Sequence, residues 1–125
     1  MNIDNDRFNQ VTEKIIGCAF AVSNALGVGF LEKVYENALV VALRKAGLKV
    51  LQQVVYEVKF EEQRVGQYIA DLVVEDSVLI EIKAIKEFES VHTAVCLNYL
   101  RCSGLSLCLL INFGKARVDI KRIVL

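Results

Sequence analysis

The chain predicts an α/β fold, a mixed sheet flanked by helices, in the order α-α-β-β-β-α-β-β. Three features of the sequence lead there. Apolar residues recur at helical spacing through the first third, and alternation with a period of two takes over after Gly47. A nearly continuous apolar run, Leu105 to Phe113, then follows another helical stretch. Such a run reads as a strand buried on both faces, and the helix before it permits a right-handed crossover between parallel third and fourth strands.

In order, the first helix spans about Asp6 to Leu26, with Phe8, Val11, Ile15, Cys18, Val22 and Ala25 on its stripe. Asn5, Asp6 or Asn9 is placed to cap it. Gly27-Val28-Gly29 breaks it, and Gly27 suits the left-handed position beyond a helix end. A second helix follows from about Phe30 to Ala46, burying Leu31, Val34, Ala38 and Ala42, and Gly47 ends it. A meander comes next: Val50 to Phe60, a turn at Glu61-Glu62-Gln63-Arg64, Val65 to Val74, and Val78 to Ala84. Glu89 to Ser103 is helical, with His92, Val95, Cys96, Tyr99 and Cys102 on one face and Gly104 closing it. After the apolar run, Gly114 turns the chain into a last strand from Ala116 to Val124.

Bulk properties narrow the class. The chain of 125 residues suits one domain, 1–125, and its apolar, proline-free composition argues against disorder. Charged residues interrupt every apolar run, so no membrane span is expected. Met1-Asn2-Ile3-Asp4-Asn5-Asp6 lacks the basic start and apolar centre of a secretory signal, which implies a cytoplasmic location. Cys18, Cys96, Cys102 and Cys108 have no C-x-x-C spacing and read as reduced thiols. The formal net charge of zero supplies no long-range field for nucleic acid, although a local groove can still be basic. A lone histidine cannot form a histidine-based zinc site, and Ser23, Ser77, Ser90, Ser103 and Ser106 lack the G-x-S-x-G setting of a serine nucleophile.

The chemistry concentrates between Tyr68 and Ala84. With Glu75-Asp76-Ser77 as the loop of a hairpin, Val74 faces Val78 and Asp71 comes opposite Glu81. Glu81 and Lys83 share a face because strand side chains alternate. Two carboxylates and a lysine on an apolar sheet require compensation. They form either a mutual Asp–Lys–Glu salt-bridge cluster or a divalent-metal site, since hard carboxylate oxygens suit Mg²⁺ or Mn²⁺.

Asp71 followed by Glu81-Ile82-Lys83 resembles the D…(D/E)xK signature of the PD-(D/E)xK nuclease superfamily. Gly29-Phe30-Leu31-Glu32-Lys33-Val34-Tyr35 adds a G-x-x-E-x-x-Y string, and with it the chain resembles the GxxExxY protein family, a branch of that superfamily. The likeness takes in Ile15, Leu-Gly-Val-Gly at 26–29, Gln53, His92, Asn98-Tyr99-Leu100, Ile111-Asn112-Phe113-Gly114 and Lys121-Arg122, in order over most of the chain. It implies a restriction-endonuclease-like αβββαβ core with an extra N-terminal helix and a C-terminal strand. It further implies Mg²⁺ (or Mn²⁺) held by Asp71, Glu81 and Glu32, with Lys83 completing the catalytic set, and phosphodiester hydrolysis on nucleic acid, DNA being expected. Two departures stand out: Val95 where the family carries a glutamine, and Ser23 where it carries a histidine. The first puts efficient cleavage in doubt, so the alternative is a weak or inactive module binding nucleic acid or a protein.

Tyr35, His92 and Tyr99 are accessory candidates, each with a packed, hydrogen-bonded role as the plainer reading. Without the resemblance, Glu32 reads as a first-turn glutamate favoured by the helix dipole. Lys115, Arg117, Lys121 and Arg122 line the last strand as either a solvated edge or a phosphate-contacting rim. Apolar surface left over by so thin a fold, and a duplex's second strand, make a homodimer an expected partner arrangement.

Overall fold

The helical periodicity of the first third becomes two helices in the computed structural model, which describes residues 3–125. Helix α1 (Ile3–Leu26) begins earlier than expected, so Asn5, Asp6 and Asn9 lie inside it and not at its cap. Helix α2 (Glu32–Lys45) buries Tyr35, Glu36, Leu39, Val40 and Leu43. That stripe is displaced from the expected one, for Leu31 and Val34 are exposed. The turn between the helices uses left-handed backbone at Gly27 (φ 68°) and Gly29 (φ 108°), where a Cβ would be strained.

Tyr35 pins this turn. Its hydroxyl donates to the Gly27 carbonyl at 2.6 Å and accepts from the Phe30 N–H at 3.3 Å. Its fully buried ring stacks on Phe113, centroids 4.9 Å apart. Tyr35 is thus a core aromatic with a satisfied hydroxyl. Tyr35→Phe leaves the Gly27 carbonyl without this donor and is expected to lower stability by about 1 kcal/mol, read from urea unfolding midpoints. An unchanged midpoint would show that water replaces the hydroxyl at no cost.

The strands β1 (Val50–Phe60), β2 (Gln63–Val74), β3 (Val78–Lys83), β4 (Leu107–Asn112) and β5 (Asp119–Val124) form one sheet in the order β1-β2-β3-β4-β5. Only β3 and β4 are parallel, joined through helix α3 (Ser90–Ser103); the other pairs are antiparallel. Val74 pairs with Val78, so the hairpin loop is Glu75-Asp76-Ser77 as expected. All six residues of β4 are buried, as a doubly covered central strand requires. The last strand starts later than the expected Ala116, so Lys115 and Arg117 precede β5 and only Lys121 and Arg122 of the basic residues lie on it. Lys115 reaches Glu87, and Lys121 donates to Thr93 on α3.

Two apolar clusters lie on opposite faces of the sheet. Leu72 and Val74 of β2 and Ile80 and Ile82 of β3 pack with α1 and α2. Leu79, Cys108 and Leu110 pack with Cys96, Tyr99 and Leu100 of α3. In a regular strand Tyr68, Ala70 and Leu72 would share a face. Here Tyr68 and Ala70 belong with α3, while Leu72 belongs with α1 and α2. The pleat therefore inverts at Asp71. On β1 the inversion falls at Gln53, which takes φ 56° inside a strand, between Val50 on one face and Tyr56 on the other. Beyond this point the β1–β2 ribbon continues alone, with Val55, Phe60, Val65 and Ile69 exposed.

Candidate active site

The pleat inversion opens a fork in the sheet. Pairing of β2 with β3 covers Leu72–Val74 against Val78–Ile80 and stops there. Pairing of β1 with β2 runs on to Phe60 and Gln63, and pairing of β3 with β4 runs on to Lys83 and Asn112. Backbone N–H groups released where a ladder ends need other acceptors. Carboxylates supply them: the Asp71 N–H donates to Glu81 Oε1 at 3.0 Å, and the Ile82 N–H donates to Asp71 Oδ2 at 2.8 Å. The two acids expected to oppose each other thus sit at the vertex of the fork, each held by the other's strand.

Both carboxylates are disfavoured as anions. Glu81 is 5% exposed, and burial first, then the charge of Asp71, pushes its pKa up to about 8. Asp71 is also raised by burial, which outweighs the Ile82 N–H; Glu36 adds to the rise, while Gln53 and Lys83 oppose it. Lys83 is half-buried, and among the described residues no ion pair joins it to either acid. A closed Asp–Lys–Glu salt-bridge cluster is therefore not what the fork contains. It contains clustered oxygen donors short of positive charge.

A third carboxylate reaches the fork from α2, and it is Glu36. Its side chain is buried and accepts from Gln52 Nε2 at 2.5 Å, Gln53 Nε2 at 3.0 Å and Lys33 Nζ at 3.0 Å. Gln53 Nε2 also donates to Asp71 Oδ1 at 3.4 Å. Consecutive strand side chains ordinarily point apart. Gln52 and Gln53 both reach Glu36 because the left-handed backbone of Gln53 breaks that alternation. Glu32, the acid singled out from the sequence, lies one turn earlier as the exposed first residue of α2, and it is Glu36 that meets Gln53. The available signal was an acidic residue inside the apolar arc of Tyr35, Leu39, Val40 and Leu43.

The accessory candidates have separate places. His92 Nδ1 accepts from the Glu89 N–H at 2.8 Å and completes a capping box at the start of α3. Tyr99 is buried on α3 against Tyr68, with ring centroids 5.1 Å apart. Burial and the charges of Glu81 and Asp71 raise its pKa, so its hydroxyl stays a neutral donor. Val95 packs against the α3 cluster and brings no amide there. All four cysteines are free.

Lys83 is set from the far side. The buried Asn112 accepts from the Ile85 N–H at 3.0 Å and the Gly114 N–H at 2.9 Å, and donates to the Ile85 carbonyl at 2.8 Å. The Phe113 N–H donates to the Lys83 carbonyl at 2.8 Å. The chain is thereby fixed on both sides of the lysine as it leaves the sheet.

The chain is similar to the crystal structure of SSO0001, with a TM-score of 0.59 and 17% identity, over 74% of this chain and 48% of that one. It thus spans about half the length of that protein, and the likeness concerns the fold. An alkaline exonuclease from Laribacter hongkongensis aligns over 99% of this chain and 72% of its own, with a TM-score of 0.42 and 14% identity. No curated protein sequence matches. Among the described residues no helix is long and apolar enough to cross a membrane. The family profile of the PD-(D/E)XK nuclease superfamily matches residues 9–123, which include the fork, its acids and Lys83. The restriction-endonuclease-like fold expected from the sequence is therefore present, and the chain belongs to the PD-(D/E)XK nuclease superfamily.

Proposed function

We propose that this protein hydrolyses phosphodiester bonds of nucleic acid, with DNA as the expected substrate, in the manner of the GxxExxY branch its sequence resembles. The observation that carries the reading is the fork, bridged by Asp71 and Glu81 with Lys83 two residues further along β3. The donors at the vertex fit a hard divalent cation, Mg²⁺ or Mn²⁺: the carboxylates of Asp71 and Glu81 are short of positive charge, and Glu36, itself paired with Lys33, is linked to Asp71 through the Gln53 amide. When bound, such an ion supplies Lewis-acid polarisation of the phosphate and an acidified water.

This chain's own residues do the positioning. The Ile82 N–H holds Asp71, the Asp71 N–H holds Glu81, and Lys33, Gln52 and Gln53 hold Glu36. Lys83, on the face of Glu81, orients water and offsets charge on the phosphate. A second reading, a weakly active or inert binding module, draws on Val95, because α3 offers an apolar side chain where related nucleases carry an amide.

Purified wild type and Lys83→Ala, with Mg²⁺ or Mn²⁺ at low salt on single- and double-stranded DNA and on RNA, separate the readings. Lys83→Ala is expected to retain Mn²⁺ binding and to lose about a hundredfold in cleavage rate. Equal rates in the two proteins would expose a contaminating nuclease. Inactivity of the wild type on every substrate would leave the binding module as the function.

A further inference from the structure

Among the described residues, no three of His, Cys, Asp and Glu come together as a set able to hold a metal ion. The acids meet in pairs instead, since Asp71 senses both Glu36 and Glu81 electrostatically. Between Glu36 and Asp71 lies one neutral group, the carboxamide of Gln53. Its Nε2 donates to both oxygens of Glu36, at 3.1 and 3.0 Å, and to Asp71 Oδ1 at 3.4 Å. Carboxylates accept only, so the amide must face them with nitrogen and turn its carbonyl oxygen away. This is the arrangement of a cation substitute: partial positive charge set among oxygens of two acids from different elements. Gln53 is also the strand residue whose φ of 56° breaks the pleat, and it stands on the exposed side of the pair. Left-handed backbone at a non-glycine residue costs about 1–2 kcal/mol and persists where the surroundings impose it.

We propose that Gln53 is a metal ligand held in reserve: its NH₂ group bridges Glu36 and Asp71 in the metal-free protein, and its carbonyl oxygen turns in to coordinate a divalent ion bound between them. The inference rests on the metal-dependent reading of the fork and assigns it an additional neutral oxygen donor. Glutamine carbonyls are suitable ligands for hard cations. The same side chain can serve both states because rotation about its last bond exchanges a donor for an acceptor. Exposure to solvent leaves room for the turn. The backbone strain sets the side chain over the acids in advance, so little ordering is left for the binding step.

Titration of ¹⁵N-labelled wild-type protein with Mg²⁺, followed by NMR, tests this. The Gln53 side-chain NH₂ pair is assigned by its absence from the spectrum of Gln53→Glu. The backbone N–H of Ile82, bonded to Asp71, reports independently on the acids. The expected result is that the NH₂ pair and the Ile82 N–H move together along one binding curve. Gln53→Leu is expected to weaken Mg²⁺ binding about tenfold, while Gln53→Glu, which keeps an oxygen but loses the donor, binds at least as tightly as wild type. A purely structural role would impair both variants alike. If the Ile82 N–H moves and the NH₂ pair does not, the ligand role is wrong and the metal site stands. If neither moves with Mg²⁺ or with Mn²⁺ in its place, the metal-dependent reading fails and the ligand role falls with it. Should Gln53→Leu not fold, the wild-type titration alone decides.

Discussion

Glu81→Gln is expected to stabilise the metal-free protein at pH 8 by a few kcal/mol and to abolish its thermal stabilisation by Mn²⁺. Glu81 in the folded chain titrates near 8, against an ordinary 4.5, because it is buried beside Asp71. Between those values the folded state binds more protons than the unfolded state, so stability falls as pH rises. Each unit of difference corresponds to about 1.4 kcal/mol, which makes about 4–5 kcal/mol an upper limit for the loss between pH 4.5 and 8. Glutamine is neutral throughout that window, and its oxygen can still accept from the Asp71 N–H. Urea unfolding at pH 5, 6.5 and 8 should therefore show declining stability for the wild type and a shallower decline for Glu81→Gln. Some slope remains in the variant, because Asp71 is raised as well. The cation answers the same deficit of positive charge, so its stabilisation of the wild type should grow from pH 6 to 8. Equal slopes in the two proteins would mean that Glu81 ionises freely at its ordinary pH.

The contrast between Glu81 and Glu36 shows how far periodicity carries a reading. A hairpin's register follows from loop length and alternation, and both were present at Val74 and Val78, so Asp71 could be set opposite Glu81. Alternation cannot announce its own interruption. The fork depends on the inverted pleat at Gln53 and Asp71, and nothing in Gln52-Gln53-Val54 favours left-handed backbone as glycine would. The tertiary pull of Glu36 and Asp71 on the Gln53 amide is nonlocal. The burial of Glu36 on α2 went unread for a related reason. Glu32 and Glu36 lie one turn apart on neighbouring surface, and the G-x-x-E-x-x-Y string points to the first. The displaced stripe puts the second inside, held by partners on β1 that helical spacing alone cannot supply. The last strand was expected from Ala116, yet β5 starts only at Asp119.

The largest loss of stability outside the fork is expected from Gly114→Ala. A Cβ at position 114 would lie 2.4 Å from the Ile85 nitrogen, 2.4 Å from the Ile85 carbonyl oxygen and 2.7 Å from the Ala84 carbonyl carbon. All three are backbone atoms, so no rotamer change relieves the overlap. The strand end after Lys83 or the turn after Phe113 must move, and either shift strains the bonds from Asn112 to Ile85 and Gly114. Asn112 is fully buried, so a lost partner is not replaced by water. Overpacking together with one or two broken buried hydrogen bonds predicts a loss of about 3–4 kcal/mol. Gly17→Ala is the matched control: it lies in α1 with nothing within 4 Å of the added carbon. There alanine is expected to stabilise by about 0.5–1 kcal/mol through helix propensity and a less flexible unfolded chain. Urea unfolding of both variants reads the two effects, and similar midpoints would show that the close approach of Gly114 to Ile85 does not hold in solution. Where Gly114→Ala remains folded, the displaced strand end should cost cleavage more than Mn²⁺ affinity. Lys83 sits at the moving end of β3, whereas Asp71 and Glu81 are tied across the fork by their own hydrogen bonds.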